Sequence, residues 1–216
     1  MIKIEIVSVS GAEAAFRGMR NPMNSWSKSD SGIMFDEKAE EFVFVPGAND
    51  VDLAHRLYEA GAEHRKYLRM MHIQMDVVAN QVWWSEFDTY KVGTTRNSCS
   101  KMHKIHAKEF TIDDFSHEGI TECGENVEWV FSMHIRECEH LRVMYNETHE
   151  KKYWRALIEM LPESYNMRAT IDFDYETAIR IIRQREGHKM EEWHAFVNVL
   201  KRLPYMDAIL KGIYIK

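Results

Sequence analysis

Residues 83–106 read WWSEFDTYKVGTTRNSCSKMHKIH, and the reading of the whole chain turns on them. Two Trp, a Phe, a Tyr, six Ser/Thr hydroxyls, an Asn and two His stand between a long apolar-periodic segment and a polar loop. Aromatic faces, hydroxyl donors and cations in one segment are what a pocket for a flat, polar or phosphorylated ligand requires. The same residues also suit a buried aromatic turn followed by a Ser/Thr-rich connection, and composition leaves both readings open.

Working outward, 216 residues suffice for one large domain or two small ones with a substantial core. An apolar fraction of 45% with 29% charged residues is globular composition and excludes a disordered or fibrous chain. With a net charge of -6 there is no basic excess to release counterions along a nucleic-acid polymer, so no polymer partner is expected. A single nucleotide needs only a local cationic pocket. Cys99, Cys123 and Cys138 form no CxxC pair, so neither a disulfide framework nor a Cys-based zinc site is expected. The start, Met-Ile-Lys-Ile-Glu, resembles an interior strand rather than a signal segment, and no run approaches the ~18 apolar residues of a membrane span. A soluble, cytoplasmic protein with no membrane partner is the expectation.

Along the chain, Ile2, Ile4 and Ile6 alternate with Lys3 and Glu5 and predict a first strand with one buried face. Residues 17–50 carry turn formers around Pro22, Ser25 to Gly32 and Pro46-Gly47, which predicts a loop-rich segment with one short strand, Glu41 to Val45. Asp50 is expected to cap a long helix whose core face carries Leu57, Gly61, His64, Leu68, Met71, Met75 and Val78. Residues 110–125 read as an acidic turn. Glu125 to Leu161 reads as helix, broken near Asn146-Glu147-Thr148 and stopped by Pro162. Arg168 to Phe173 alternates as a strand, and Asp174 can cap a helix through Arg185. Gly187 breaks the pattern. A last helix runs from about Lys189 to Leu203, with Met190, Trp193, Val197 and Leu200 as its core stripe. Without repeats, low-complexity tracts or linkers, residues 1–216 read as one α+β domain.

Standard catalytic motifs are absent: there is no GxSxG elbow, no phosphate loop and no GxGxxG. Two ExxH pairs, Glu137/His140 and Glu191/His194, have the spacing of helical di-iron ligands. In a chain with 11 His and many acidic residues such pairs also arise by chance, so no metal is expected.

Three ordered matches resemble the flavin-dependent thymidylate synthases. Ala62-Glu63-His64 resembles the family's Glu-His helix start. Thr95-Arg96-Asn97-Ser98-Cys99-Ser100-Lys101-Met102 follows the second half of the signature RHRxxSxNExSxR, with Thr95 for the first Ser, Asn97 and Ser100 retained, and Ser98 for Glu. Ala169 to Asp174, then Ile181 to Arg185, then His188-Lys-Met-Glu-Glu192-Trp and finally Leu203-Pro204 resemble the family's strand, Leu-Arg turn, His-Ala-Gln-x-Glu helix and terminal Pro.

The resemblance implies an α+β domain with a central antiparallel sheet and long helices, assembling as a homotetramer that holds FAD and dUMP where subunits meet. It implies methylenetetrahydrofolate as carbon donor and NADPH as reductant, with no protein nucleophile, so no catalytic side chain is expected by name. Carried over position by position, Arg185 and His188 are the expected flavin contacts, joined by His64, Lys91, Trp84 and Tyr90. Thr95, Arg96, Asn97, Ser98, Ser100, Lys101 and His103 would line the nucleotide side. Trp83, Trp84 and Tyr90 could stack on a flat ring or belong to the core, and Lys101 and Lys104 beside His103 read more readily as a solvated cationic edge. The RHR triplet falls near Tyr90-Lys91-Val92 or Val82-Trp83-Trp84, and neither alignment restores two Arg. Met102, Glu176 and His194 stand where the family grips dUMP with Arg, and neither Met nor Glu imitates a guanidinium fork on phosphate. Three functions follow from this pattern: the thymidylate synthase reaction, a related reaction on another pyrimidine nucleotide, or a binding or assembly protein that keeps the fold without catalysis.

Overall fold

The N-terminal alternation becomes strand β1 (Lys3–Ser10), preceded by buried Ile2, with Ile4 half-buried while Ile6 is exposed. Gly11 follows at φ 84°, where a Cβ would lie 2.0 Å from the Met70 carbonyl oxygen, so only glycine fits. The computed structural model describes residues 2–37 and 40–214. Helix α1 (Ala12–Gly18) buries Ala12, Ala15 and Phe16. The segment read as loop therefore starts later than expected, and it contains more order than expected. Two 3-10 turns (Asn21–Met23, Trp26–Lys28) lead into β2 (Gly32–Asp36), which pairs antiparallel with the expected strand β3 (Glu41–Val45), Phe35 opposite Phe42.

Helix α2 (Ala48–Glu59) has Gly47 as its N-cap, and Asp50 lies inside its first turn. The capping carboxylate is Asp30, reached from the preceding loop: its two oxygens accept from the Asn49 and Asp50 amides at 2.9 and 3.2 Å. The single long helix expected from Asp50 to Val78 does not form. Gly61 at φ 113° ends the helical run, residues Ala62–Met70 wind as a 3-10 helix, and β4 (His72–Asn80) is a strand. Its period is two: Ile73, Met75, Val77 and Ala79 are at most 1% exposed while Gln74 and Asp76 face outward or half outward. Met71 and Met75 lie four apart, which satisfied the helical template by coincidence. Ile73, Met75 and Val77 each contribute about 1.5–3 kcal/mol of apolar burial, which a helix turning some of them outward would forfeit.

Asn80 caps α3 (Gln81–Phe87), its side chain accepting from the Trp83 amide at 2.9 Å. Then come β5 (Thr94–Ser98), the single turn α4 (Lys101–Lys104) and, in the expected acidic turn, a short α5 (Glu118–Glu122). Helices α6 (Glu125–Thr148) and α7 (Lys151–Met160) break where expected, at His149 in the left-handed region with φ 57°. Strand β6 (Asn166–Asp174) and helix α8 (Tyr175–Arg185) also match, with Asp174 accepting from the Thr177 amide at 2.7 Å. Helix α9 (Glu191–Lys201) buries Trp193, Val197 and Leu200, with Met190 half-buried. A last helix, α10 (Met206–Lys211), was not expected beyond Pro204. The main sheet is antiparallel with strand order β1-β4-β6-β5.

The chain resolves into two compact units. One gathers Met1–Glu5, Asp76–Tyr90 and Arg96–Ile171. In it Trp83 stacks on Phe87 at 5.2 Å, and the α6–α7 hairpin closes Ile135, Cys138, Leu141 and Leu157 over Ile105, Phe110 and Phe115. The other gathers Ile6–Met75, Lys91–Thr95 and Asp172–Lys216. Its core holds Phe16 against Phe44 and Tyr205 at 5.5 and 6.0 Å, and Trp193 against Phe196 at 5.9 Å. Among the described residues no helix is long and apolar enough to cross a membrane.

Candidate functional site

In the second unit, the Asp174 cap fixes where α8 begins, and positions 176, 180 and 183 then fall on one face. The 3-10 helix before β4 carries Arg65 and Arg69, and both border the same cavity. These segments line a cavity of about 500 Å3 whose polar wall is Arg65, Arg69, Arg180, Arg183, Asp174 and Glu176, and whose apolar lining includes Leu68, Val92 and Ile179. Four guanidinium groups face two carboxylates, an excess of two positive charges. Such a wall suits a phosphorylated or otherwise anionic ring compound.

The arginines are held in place before any ligand arrives. Arg65 and Arg183 both lie over the ring of buried Tyr58, at 4.7 and 5.1 Å. Arg65 Nε donates to the Tyr58 carbonyl at 2.7 Å, and Arg183 Nη2 donates to its hydroxyl at 2.6 Å. Each guanidinium carries five N–H donors, and the others of Arg65 and Arg183 meet no hydrogen-bond acceptor among the described residues. Arg180 Nη2 donates to the Val92 carbonyl at 3.2 Å. Arg69 is ion-paired with Glu176, and this hydrogen bond, followed by the carboxylate's charge, raises the Arg69 guanidinium above its ordinary pKa. Glu176, which stands where the resemblance places an Arg, is thus already neutralised by a neighbour. Asp174 is committed to capping α8.

The other expected residues of this unit lie at several places within it. Arg185 covers Trp193 at 4.5 Å, and His188 meets the same ring edge-on at 6.1 Å while its Nδ1 accepts from the Met190 amide at 3.2 Å. His64, placed by its spacing on a helix core face, is exposed because that helix has ended; it borders an apolar cavity of about 600 Å3 with Leu53, Leu57, Tyr67 and Met70. Lys91 and Thr95 are exposed.

In the first unit, Trp84 and Tyr90 are only 3% and 4% exposed. Trp84 packs edge-on against Trp83 and Phe87, donates its indole N–H to the Met167 carbonyl at 2.9 Å, and has Arg96 over one face at 4.8 Å. Arg96 in turn pairs with Asp88 at 2.9 Å. Of the two readings of the central stretch, its aromatic half is core and its Ser/Thr half is a strand followed by a turn. Ser100 caps α4 by accepting from the His103 amide at 3.3 Å. Lys101 donates to Gln81, and burial, with Arg96 nearby, holds its ammonium below the ordinary lysine pKa. A cavity of about 210 Å3 is lined by Cys99, Ser100, Lys101, Lys104 and Arg168. Asn97 and His103 are exposed and Ser98 is half-buried.

Sequence reading missed Arg65, Arg69, Arg180 and Arg183. Their signal was the spacing of four in one segment and three in the other, and it was hidden because residues 62–78 were taken as a core helix. The two ExxH pairs gather no third ligand: no group of three or more His, Cys, Asp or Glu able to hold a metal occurs among the described residues.

No protein-family model and no curated protein matches the chain. Among solved structures it is similar to thymidylate synthase X of Helicobacter pylori with FAD and dUMP, with a TM-score of 0.67 and 14% identity over 97% of both chains. A second structure of the flavin-dependent enzyme of that organism, also complexed with FAD and dUMP, gives a TM-score of 0.66 and 14% identity over 96% of this chain and 97% of that one. Over nearly its whole length, therefore, the chain has the α+β fold of a flavin-dependent thymidylate synthase.

Proposed function

We propose that this chain is a flavin-dependent thymidylate synthase-like enzyme, converting dUMP to dTMP by reductive methylation with methylenetetrahydrofolate and NADPH. The observation that carries the reading is the arginine-lined cavity in a chain of this fold. Its donor chemistry fits the implied ligands: FAD and dUMP are both phosphorylated ring compounds, and four guanidinium groups over an apolar lining suit both halves of such a molecule. Bound flavin would supply the hydride. The chain's own residues bind and orient. Arg65 and Arg183, set by Tyr58, present donors to phosphate oxygens, and Arg69 and Arg180 extend that grip. Arg185 and His188 are the flavin contacts that the sequence resemblance suggests, and Leu68 and Ile179 exclude water from the ring. We read residues 1–216 as one functional domain working as a cytoplasmic homotetramer, which analytical ultracentrifugation tests.

The direct test is the visible absorbance of the purified protein after incubation with FAD and gel filtration, followed by a dUMP titration and an assay for dTMP. Retained flavin bands and dTMP formation are expected. A colourless protein that binds no nucleotide would overturn the reading in favour of a binding or assembly protein. A second reading, a related enzyme acting on another pyrimidine nucleotide, draws on Met102, which is 53% exposed at the end of the signature with no guanidinium to offer. Retained flavin without dUMP turnover would select it.

A further inference from the structure

A second cationic concavity lies within Ile6–Met75 and shares no residue with the arginine-lined cavity. It has a volume of about 510 Å3 and is lined by Arg17, Arg20, Trp26 and Ser29. The Arg17 side chain, exposed on the last turn of α1, has no ion pair or hydrogen bond among the described residues, although Glu13 stands one turn before it. Arg20 is only 4% exposed. Its Nε donates to Asp50 at 2.5 Å, but its Nη2 is buried with no partner. A buried N–H without an acceptor carries a desolvation cost that a bound oxyanion would remove.

Hydrogen bonds hold the rest of the concavity. Ser29 and Ser31 donate to the second Asp50 oxygen at 2.6 and 2.5 Å, which fixes the wall behind Arg20. Trp26 donates its indole N–H to Asn21 Oδ1 at 2.8 Å, so the ring is oriented, yet it is 51% exposed and stacks on no other aromatic ring among the described residues. Asp50 compensates the Arg20 charge, leaving Arg17 as the uncompensated cation. The combination is one net positive charge, a surplus of guanidinium donors and an open aromatic face at one place.

We propose that this concavity binds a nucleoside monophosphate, with the phosphate on Arg17 and Arg20 and the base laid on Trp26. Guanidinium donors match phosphate oxygens, and every base has a face that an indole can stack on. The site is independent of the proposed reaction and of the other cavity.

The test is calorimetric titration of the full-length protein with AMP and with inorganic phosphate, on wild type, Arg17→Gln, Trp26→Ala and, for the other cavity, Arg183→Gln. Arg17 and Trp26 are exposed, so unchanged circular dichroism and melting temperature are expected for both variants. Arg17→Gln should weaken both probes about tenfold. Trp26→Ala should weaken AMP about tenfold and leave phosphate unchanged. Arg183→Gln should leave a site of wild-type affinity for AMP. The proposal is overturned if wild type binds neither probe, if Arg17→Gln and Trp26→Ala bind AMP as wild type does, or if only Arg183→Gln abolishes binding. Those same outcomes leave the flavin and dUMP tests untouched.

Discussion

Asp50→Ala should lower stability by about 3–5 kcal/mol, the cost of removing one partner from a buried ion pair. The carboxylate is fully buried and accepts from Ser29, Ser31 and Arg20. Alanine would strand Arg20, which already has one unpartnered N–H. For a chain of this length each kcal/mol moves the melting temperature by about 2–4 °C, so thermal unfolding followed by circular dichroism at pH 7 should show a fall of about 10 °C. The double variant Arg20→Met/Asp50→Leu should recover most of that loss, because apolar side chains of similar volume need no compensation. The pH dependence has a definite sign. Burial pushes the Asp50 carboxyl up, but the hydrogen bonds from Ser29, Ser31 and Arg20 and the Arg20 charge together bring it below its ordinary value. A group lowered on folding stabilises above its unfolded pKa of about 3.9 and ceases to do so as pH falls through the folded value. The gap between wild type and Asp50→Ala should therefore be constant from about pH 8 to 5 and narrow below about pH 4. A drop of less than about 3 °C at pH 7, or a gap that widens in acid, would refute the reasoning.

Three further outcomes are expected. Glu176→Gln removes the carboxylate that neutralises Arg69 and should tighten dUMP binding about fivefold, roughly 1 kcal/mol for one charge near the surface, as read by flavin or Trp fluorescence quenching; weaker binding would count against the cavity as the phosphate site. Gly93→Ala places a Cβ 2.8 Å from Asp174 Oδ2 and Thr177 Oγ1 at φ 80°, and should cost about 1–3 kcal/mol in urea unfolding, with no loss at all refuting the close approach. Cys99 and Cys123 are exposed, whereas burial, with Glu137 adding to it, pushes the Cys138 thiol up to about 11. At pH 8 a disulfide reagent should thus titrate two thiols promptly and the third only on unfolding, and three equal rates would contradict the α6–α7 core.

The C-terminal half was legible because its punctuation is local. Pro162, Asp174 and the break just after Asn146–Thr148, at His149, each act on the residues beside them, and helices α6, α7 and α8 begin and end accordingly. Helix over residues 50–59 was read correctly, but 62–80 were misread because Leu68, Met71, Met75 and Val78 satisfy a helical template, while the deciding facts are the left-handed Gly61 and the pairing of β4 within the sheet, which is a long-range contact. Asp50 was misread as a cap for a similar reason, since its partners Arg20, Ser29 and Ser31 are distant in sequence. For the site, the resemblance named residues one at a time. What it could not supply was the meeting of Arg65 with Arg183 on Tyr58, or of Arg69 with Glu176 across 107 positions. Such meetings are products of the fold rather than of any motif.

The Asp30 contacts to the start of α2 bear on how this protein can be handled. Surface segments rich in Ser and Asp are where tags, cleavage sites and new chain ends are usually introduced, and residues 25–31 have that composition. Here Asp30 holds the Asn49 and Asp50 amides, while Ser29 and Ser31 hold the Asp50 carboxylate. An insertion between positions 28 and 32 would uncap a helix and open a buried ion pair at once, so the segment that looks most permissive to an engineer is among the least.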